Sequence, residues 1–319
     1  MRRLQNVFTG AGSDASPTLG RAFFGLAVVT YGLLVFGASV RVHGAGLSCP
    51  DWPLCFGEVI PTLNFEVFLE WGHRVLASVV SFGFLGLGIA VLARPATRAR
   101  AGWFVGAAAV ALAVQIVLGG LTVLHLLANW SVTLHLLTGN LFCALLLLTG
   151  LRLADRQDAV APVGPAVRVV GALLGGMVVA QMALGGLVSS SYAGLACTEW
   201  PTCNGGVWFP VFDGIVGLQI FHRLGAYTLL LLAAVFFVAA RGVAALRAPA
   251  GLVLGLVLLQ AGIGIVNVLL AMPVEIAIAH SGVADLIVLS TTWALWRVSR
   301  HAVRASAPAA GLAVSPEHA

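Results

Sequence analysis

Four histidines carry the most specific chemistry in this sequence. His73 and His222 each precede an arginine, in Glu70-Trp-Gly-His73-Arg74 and Gln219-Ile-Phe-His222-Arg223. His135 and His280 each follow a glutamine by 20 residues, Gln115 and Gln260. All four stand near the start of a long apolar run, so they share one depth if those runs are helices crossing a membrane. Two imidazoles on facing helices can take opposite sides of one iron, the axial arrangement of a haem. Zinc fits less well, because each pair lacks an obvious third ligand. Taken singly, any of these residues could be a hydrogen-bonding group between helices. Four ionisable groups in two matched pairs inside apolar segments point instead to function. His43 and His125 have no matched partner, and His301 and His318 lie toward the C-terminus; these four stay outside the set.

The residues around the histidines differ between the two pairs. Glu70 lies one helical turn before His73, and the same position before His222 is Gln219. One pair therefore keeps an ionisable neighbour and the other an uncharged one of similar shape. The reaction is expected beside Glu70, with the other pair in support; the plainer reading of Glu70 is an acid favoured at a helix start. Arg74 and Arg223 suit the carboxylates of haem propionates, or snorkel from helix ends to the headgroups.

Cysteine shows the duplication most directly. Residues 45–55 read AGLSCPDWPLC and residues 193–203 read AGLACTEWPTC. A shared pattern with Trp and Cys at matching places marks an internal repeat. A disulfide between Cys49 and Cys55, or Cys197 and Cys203, would close a short loop worth about 2 kcal/mol by chain entropy. Structural bridging and a redox-active thiol pair both remain open, although the spacing is not Cys-x-x-Cys. Cys143, within an apolar run, reads as packing.

These residues must be positioned by helices in a membrane. Sixty per cent of the chain is hydrophobic and 9% charged, a balance that leaves no polar faces for a soluble fold. Eight runs are long enough to span a bilayer: 22–42, 71–93, 102–124, 134–151, 169–189, 218–240, 249–271 and 279–297. The expected fold is an all-α integral membrane protein, two tandem, parallel four-helix bundles. It divides into a tail (1–21), an N-terminal half (22–153), a linker (154–168), a C-terminal half (169–299) and a second tail (300–319). Four spans per half give both halves one orientation, unlike the inverted repeats of many transporters. Arg2, Arg3, Arg21, Arg94, Arg98, Arg100, Arg152, Arg156, Arg168, Arg241, Arg247, Arg297, Arg300 and Arg304 fall at alternate ends, and acids such as Asp51, Glu58, Glu199 and Asp213 at the others. By the positive-inside rule both termini are cytoplasmic and the Cys loops face outward, where disulfides persist. The net charge of +5 is then a matter of topology and argues nothing for nucleic acid. The first 22 residues lack the apolar stretch and cleavage site of a signal peptide.

Together these features resemble the haem A synthase family, in its Cys-containing bacterial branch, over nearly the whole chain. The motifs that carry the resemblance are Glu70-x-x-His73-Arg74, His135, His222-Arg223, His280 and the paired loop cysteines. It implies an oxidoreductase of the bacterial cell membrane that converts the C8 methyl of haem O into the formyl group of haem A for terminal oxidases. It implies haem B as cofactor on His222 and His280, with Arg223 toward a propionate. The substrate haem would lie in the N-terminal half, flanked by His73 and His135, with Arg74 beside it and Glu70 as catalytic residue. By the same resemblance Cys197–Cys203 is a structural disulfide, and Cys49–Cys55 matches thiols given a redox role. Membrane lipid, a haem O synthase, terminal oxidase assembly factors and an electron donor that no motif names are the implied partners; oligomerisation stays open. The alternative on the same histidines is a two-haem membrane cytochrome passing electrons from quinol, in which Glu70 is dispensable. A thiol–disulfide carrier would hold no haem. A haem O-forming prenyltransferase would need Asp-rich motifs that the sequence lacks.

Overall fold

The computed structural model describes residues 16–155 and 163–305, the last five of these by their backbone. Most of both expected tails, residues 156–162 of the linker, and Arg2, Arg3 and Arg156 lie outside the described residues. Eight long helices follow one another: α1 (Ser16–Val42), α2 (Phe65–Leu92), α3 (Pro95–Leu124), α4 (Asn129–Ala154), α5 (Pro165–Ser190), α6 (Gly214–Ala240), α7 (Ala244–Leu269) and α8 (Val274–Ala305). A single 3-10 turn at Ala193–Leu195 precedes α6. All eight are long and apolar enough to cross a membrane, so the chain is a multi-pass membrane protein.

The helices begin earlier than the apolar runs do. α2 starts at Phe65 rather than at 71, because Asn64 accepts a hydrogen bond from Val67 N at 2.8 Å and caps a polar first turn holding Glu66. Pro95 and Pro165 open α3 and α5 at a position that needs no N–H. α1 takes in the last residues assigned to the N-terminal tail. α4 takes in Ala154 and α5 takes in residues 165–168 of the expected linker, and α8 runs past 299.

Within each half the four helices form a ring. α1 packs on α2 and α4, and α3 on α2 and α4; α5 packs on α6 and α8, and α7 on α6 and α8. Each ring has its own apolar core. Phe23, Val80, Phe84, Val105, Phe142 and Leu146 belong to the first. Leu174, Leu229, Phe236, Leu246, Val253 and Ile287 belong to the second. The halves meet through α1, α4, α5 and α8.

The duplication extends to strained backbone. Leu126 and Leu127 after α3 have φ of 50° and 60°; Ala271 and Met272 after α7 have 56° and 60°. A non-glycine residue in this left-handed region costs about 1–3 kcal/mol. The turn offsets that cost by closing the helix end: Leu127 N reaches Thr122 O at 2.8 Å and Met272 N reaches Asn267 O at 2.7 Å.

Candidate functional site

The ring order places the histidine-bearing helices diagonally, α2 across from α4 and α6 across from α8. His73 stands eight residues beyond the start of α2 and His222 eight beyond the start of α6; His135 and His280 each stand six beyond the starts of α4 and α8. At 1.5 Å per residue that is about 9–12 Å down the helix. The histidines are therefore about two turns inside, deeper than the one turn that the apolar runs alone imply, because each of these helices starts four to six residues before its apolar run.

A glycine on the preceding helix faces every one of these rings. A Cβ at Gly37, Gly119, Gly185 or Gly264 would lie 3.0, 3.2, 3.4 or 3.1 Å from Cε1 of His73, His135, His222 or His280. Each imidazole thus rests directly on a neighbouring helix backbone, which fixes its plane. Phe36 meets His73 edge-on at 6.0 Å. Glutamines contact the other three histidines, two at the ring and one at the backbone. Gln115 Nε2 lies 3.2 Å from His135 Nε2, and Gln181 Nε2 lies 3.2 Å from His222 Nδ1 while donating to His222 O at 2.9 Å. Gln260 donates to His280 O at 3.0 Å. Among the described residues, the buried Nδ1 atoms of His73, His135 and His280 have no hydrogen-bond partner. A buried polar atom left unsatisfied costs about 1–3 kcal/mol, a cost that a group bound at these rings could offset. Among the described residues no three His, Cys, Asp or Glu side chains gather as a metal-holding group.

Above the histidines, two loops closed by disulfides cap the bundles. Cys49–Cys55 and Cys197–Cys203 are bonded, with Cα–Cα distances of 4.7 and 4.4 Å, and all four residues are buried. The acid of each repeat motif ties its loop. Asp51 accepts from Phe56 N at 2.6 Å and Gly57 N at 2.8 Å; Glu199 accepts from Gly205 N at 3.0 Å and Gly206 N at 3.1 Å. These N–H groups belong to turns with positive φ. The Gly57 N–H holds the Asp51 carboxyl below its ordinary range, and the Gly206 N–H, with the Thr202 hydroxyl, does the same for Glu199.

Arg74 and Arg223 bind these loops to the helices. Arg74 donates from Nη1 to Asp51 O (2.7 Å) and Leu54 O (2.6 Å), and from Nη2 to Cys49 O (3.1 Å) and Glu70 Oε1 (2.6 Å). Arg223 donates to the carbonyls of Thr202 (2.8 Å), Cys197 (3.1 Å) and Glu199 (2.9 Å). The terminal nitrogens expected to meet propionates or headgroups are thus engaged by loop carbonyls. Glu70 is 5% exposed, not a solvated acid at a helix start. Its Oε2 accepts from Cys49 N at 3.2 Å. Gln219, in the matching place, donates to Gly194 O at 3.2 Å. The exchange of acid for amide thus reverses the direction of the hydrogen bond to the loop.

Most of the chain, site included, falls within the range of a known family. The family model of the cytochrome oxidase assembly protein COX15-CtaA matches residues 21–67 and 62–292. The chain belongs to this family. It is 32% identical to the Heme A synthase of Shewanella oneidensis over 85% of this chain and 95% of that protein. To the Heme A synthase of Methylorubrum extorquens it is 30% identical over 89% of this chain and 87% of the relative. To that of a Bradyrhizobium species it is 32% identical, over 86% and 89%. The residues matched by the family model span both halves and include the positions of all four histidines.

Within that fold, several residues of the site escape a reading of the sequence. Gln181 has Leu33 as its counterpart, so the repeat does not point to it. The four glycines do obey the repeat, Gly37 with Gly185 and Gly119 with Gly264, and an aligned comparison of the halves finds them. His43 and His125 make local contacts at helix ends, with Ser39 O and Phe65 and with Trp130. Cys143 is buried on α4 and directs Sγ to Ala27 O at 3.5 Å.

Proposed function

We propose that this chain oxidises the C8 methyl of haem O, in successive steps, to the formyl group of haem A. It would be an oxidoreductase of the bacterial cell membrane that serves terminal oxidases. The observation that carries the proposal is the pair of diagonal histidine sites, equivalent in ring order, depth and glycine backing, of which the first has a carboxylate, Glu70, one helical turn before its histidine where the second has the amide Gln219. The name carried by its relatives, Heme A synthase, supports it.

Haem suits these residues: buried imidazoles with unpartnered nitrogens, glycine-backed rings and an apolar interior. His222 and His280 would ligate haem B as the resident cofactor, with the ring of His222 steadied by Gln181 through its other nitrogen. His73 and His135 would flank the substrate haem O and the product haem A. Bound haem B supplies the one-electron chemistry that amino-acid side chains lack. Arg74 and Arg223 each keep Nε–H for a propionate while their terminal nitrogens hold the loop. Glu70 then acts at the reacting methyl, its Oε1 fixed on Arg74 and its Oε2 accepting from the Cys49 amide. A carboxylate so placed stabilises positive charge at the methyl carbon and accepts a leaving proton at Oε2. Cys49–Cys55 stands one hydrogen bond from Glu70, which favours a redox part for that pair and a structural one for Cys197–Cys203. The arginine-rich gap after α2, opposite the disulfide loops, favours cytoplasmic termini. A haem O synthase and oxidase assembly factors are the partners such a substrate and product require.

Production of the chain in a bacterium that makes haem O but not haem A tests the proposal. Haem A in the extracted membranes is the expected result. Haem O unchanged, with haem B alone bound to the chain, is the result of an electron-transfer cytochrome.

A further inference from the structure

A carboxylate is buried where the two halves meet. Asp285 on α8 is 2% exposed, and its Oδ1 accepts a hydrogen bond from Asn140 Nδ2 on α4 at 2.9 Å. Asn140 stands five residues after His135 and Asp285 five after His280, so the two are counterparts in the duplication. Counterparts that touch lie on the pseudo-two-fold axis relating the halves. Five residues correspond to about 7.5 Å and 140° of helix. A helix that turns its histidine into its own ring therefore turns the fifth residue out, toward the other half. Asp285 thus lies below and between the two histidine sites.

Its surroundings give it no counter-charge. Among the described residues no cation lies within ion-pairing distance of Asp285. From α4 it faces Asn140 and Cys143. From α1 comes Tyr31, whose hydroxyl lies 3.3 Å from where a Cβ of Gly282 would be, and Arg41, which donates to Ser281 Oγ at 3.4 Å one turn away. α5 and α7 bring only Arg168 and Arg247, both in their first turns at the opposite end from His280. α8 itself adds Glu275 and His280 on one side and Arg297 and Arg300 on the other. Two amides would join the halves as well as an amide and an acid do. An unpaired carboxylate in an apolar interior is costly to hold charged, and its protonation follows the charge of any redox centre that shares that interior.

We propose that Asp285 is the proton-accepting group coupled to the redox state of the C-terminal haem. The inference rests on the reading that His222 and His280 hold that haem. When a one-electron donor passes an electron to the haem, the Asp285 carboxylate takes one proton from water at Oδ2. When the electron leaves, the proton is released, so the net charge of the interior stays constant. Oxidation of a methyl group removes protons and electrons together, and a carboxylate between the sites lets the relay carry both.

Redox potentiometry of the full-length, haem-loaded protein tests this, with dithionite and ferricyanide as titrants and mediators present. In the wild type the haem B midpoint is expected to fall by up to about 59 mV for each tenfold fall in proton concentration. Asp285→Asn is expected to flatten that dependence, and Asn140→Asp with Asp285→Asn, which returns the carboxylate from the other helix, to restore it. A wild-type midpoint that is flat between about pH 6 and 9, or a slope that survives Asp285→Asn, overturns the proposal. Should Asp285→Asn fail to hold haem, the reduced-minus-oxidised infrared spectrum of Glu70→Gln decides. A protonated-carboxyl band that rises on reduction supports coupling at Asp285, and no such band overturns it. Haem B with a flat midpoint removes only this inference, whereas a wild type without haem removes the functional reading beneath it as well.

Discussion

Glu70 and Gln219 hold equivalent positions and differ by one heteroatom, yet one accepts from its loop and the other donates to it. If the reaction belongs to the half with the acid, Glu70→Gln keeps the shape and loses the charge. The turnover of haem O should fall by at least about 100-fold, the usual weight of a positioned proton-transfer group; single-turnover haem analysis measures it, and full activity would remove Glu70 from the chemistry. Arg74 belongs to the same unit. It holds three loop carbonyls and Glu70 at once, so Arg74→Met should loosen the first loop by about 2–3 kcal/mol, in line with hydrogen bonds from a charged donor. Faster reduction of Cys49–Cys55 by a phosphine would report it. The identity of both residues is legible in the sequence, but their employment is not. Arginine at a helix end can meet a headgroup, a propionate or a loop, and only the folded path of residues 49–54 under the guanidinium selects the last.

At the scale of the element, each histidine needs the helix before it. Gly264→Val should press a methyl onto His280 and cost about 1–3 kcal/mol of haem B binding, the usual penalty of overpacking. Gly255→Val on the same helix meets nothing within 4 Å and should leave haem occupancy unchanged; equal loss in both variants would show that α7 merely dislikes valine. The loops carry a pH dependence of their own. Asp51 and Glu199 are held below the ordinary carboxylate range by the amides of Gly57 and Gly206. Their contribution to loop stability is therefore complete above about pH 4 and is lost as the pH falls through the lowered values. Amide exchange at Phe56 and Gly57, corrected for its intrinsic pH dependence, should accelerate in acid; protection that persists there would contradict this role. Eight helices are legible in the hydropathy because each apolar run exceeds the bilayer. Their first turns are not, because the residues that open them, Asn64 before α2 and Pro95 and Pro165 in α3 and α5, carry no hydropathic signal. The facing glycines are hidden for a related reason, since a glycine gains meaning only when the neighbouring helix is known.

Over the whole molecule, a duplication has produced two rings of one design, to which the proposed function gives different tasks. The repeat is plain in the two loop motifs, and it predicts the matched histidines, the matched left-handed turns and the matched glycines. The interface between the halves is less legible. Asp285 lies inside an apolar run and could be noticed there as an intramembrane acid, but only the packing of α4 on α8 joins it to Asn140. At the far end Asp155, which closes α4, pairs with Arg300 of α8, so the halves are joined there too. Removal of the second bridge by Cys197→Ser with Cys203→Ser should lower stability by about 2 kcal/mol and show as a lower melting temperature with haem B still bound; loss of all haem would mean that the loop forms part of the site. The division of tasks is the central claim, and extraction and chromatography of the haems bound to wild type and to Glu70→Ala test it most directly. The wild type should yield haem B together with haem O or haem A, and the variant should yield haem B with haem O or a partly oxidised intermediate accumulated. Haem B alone, in equal amount from both, would contradict it.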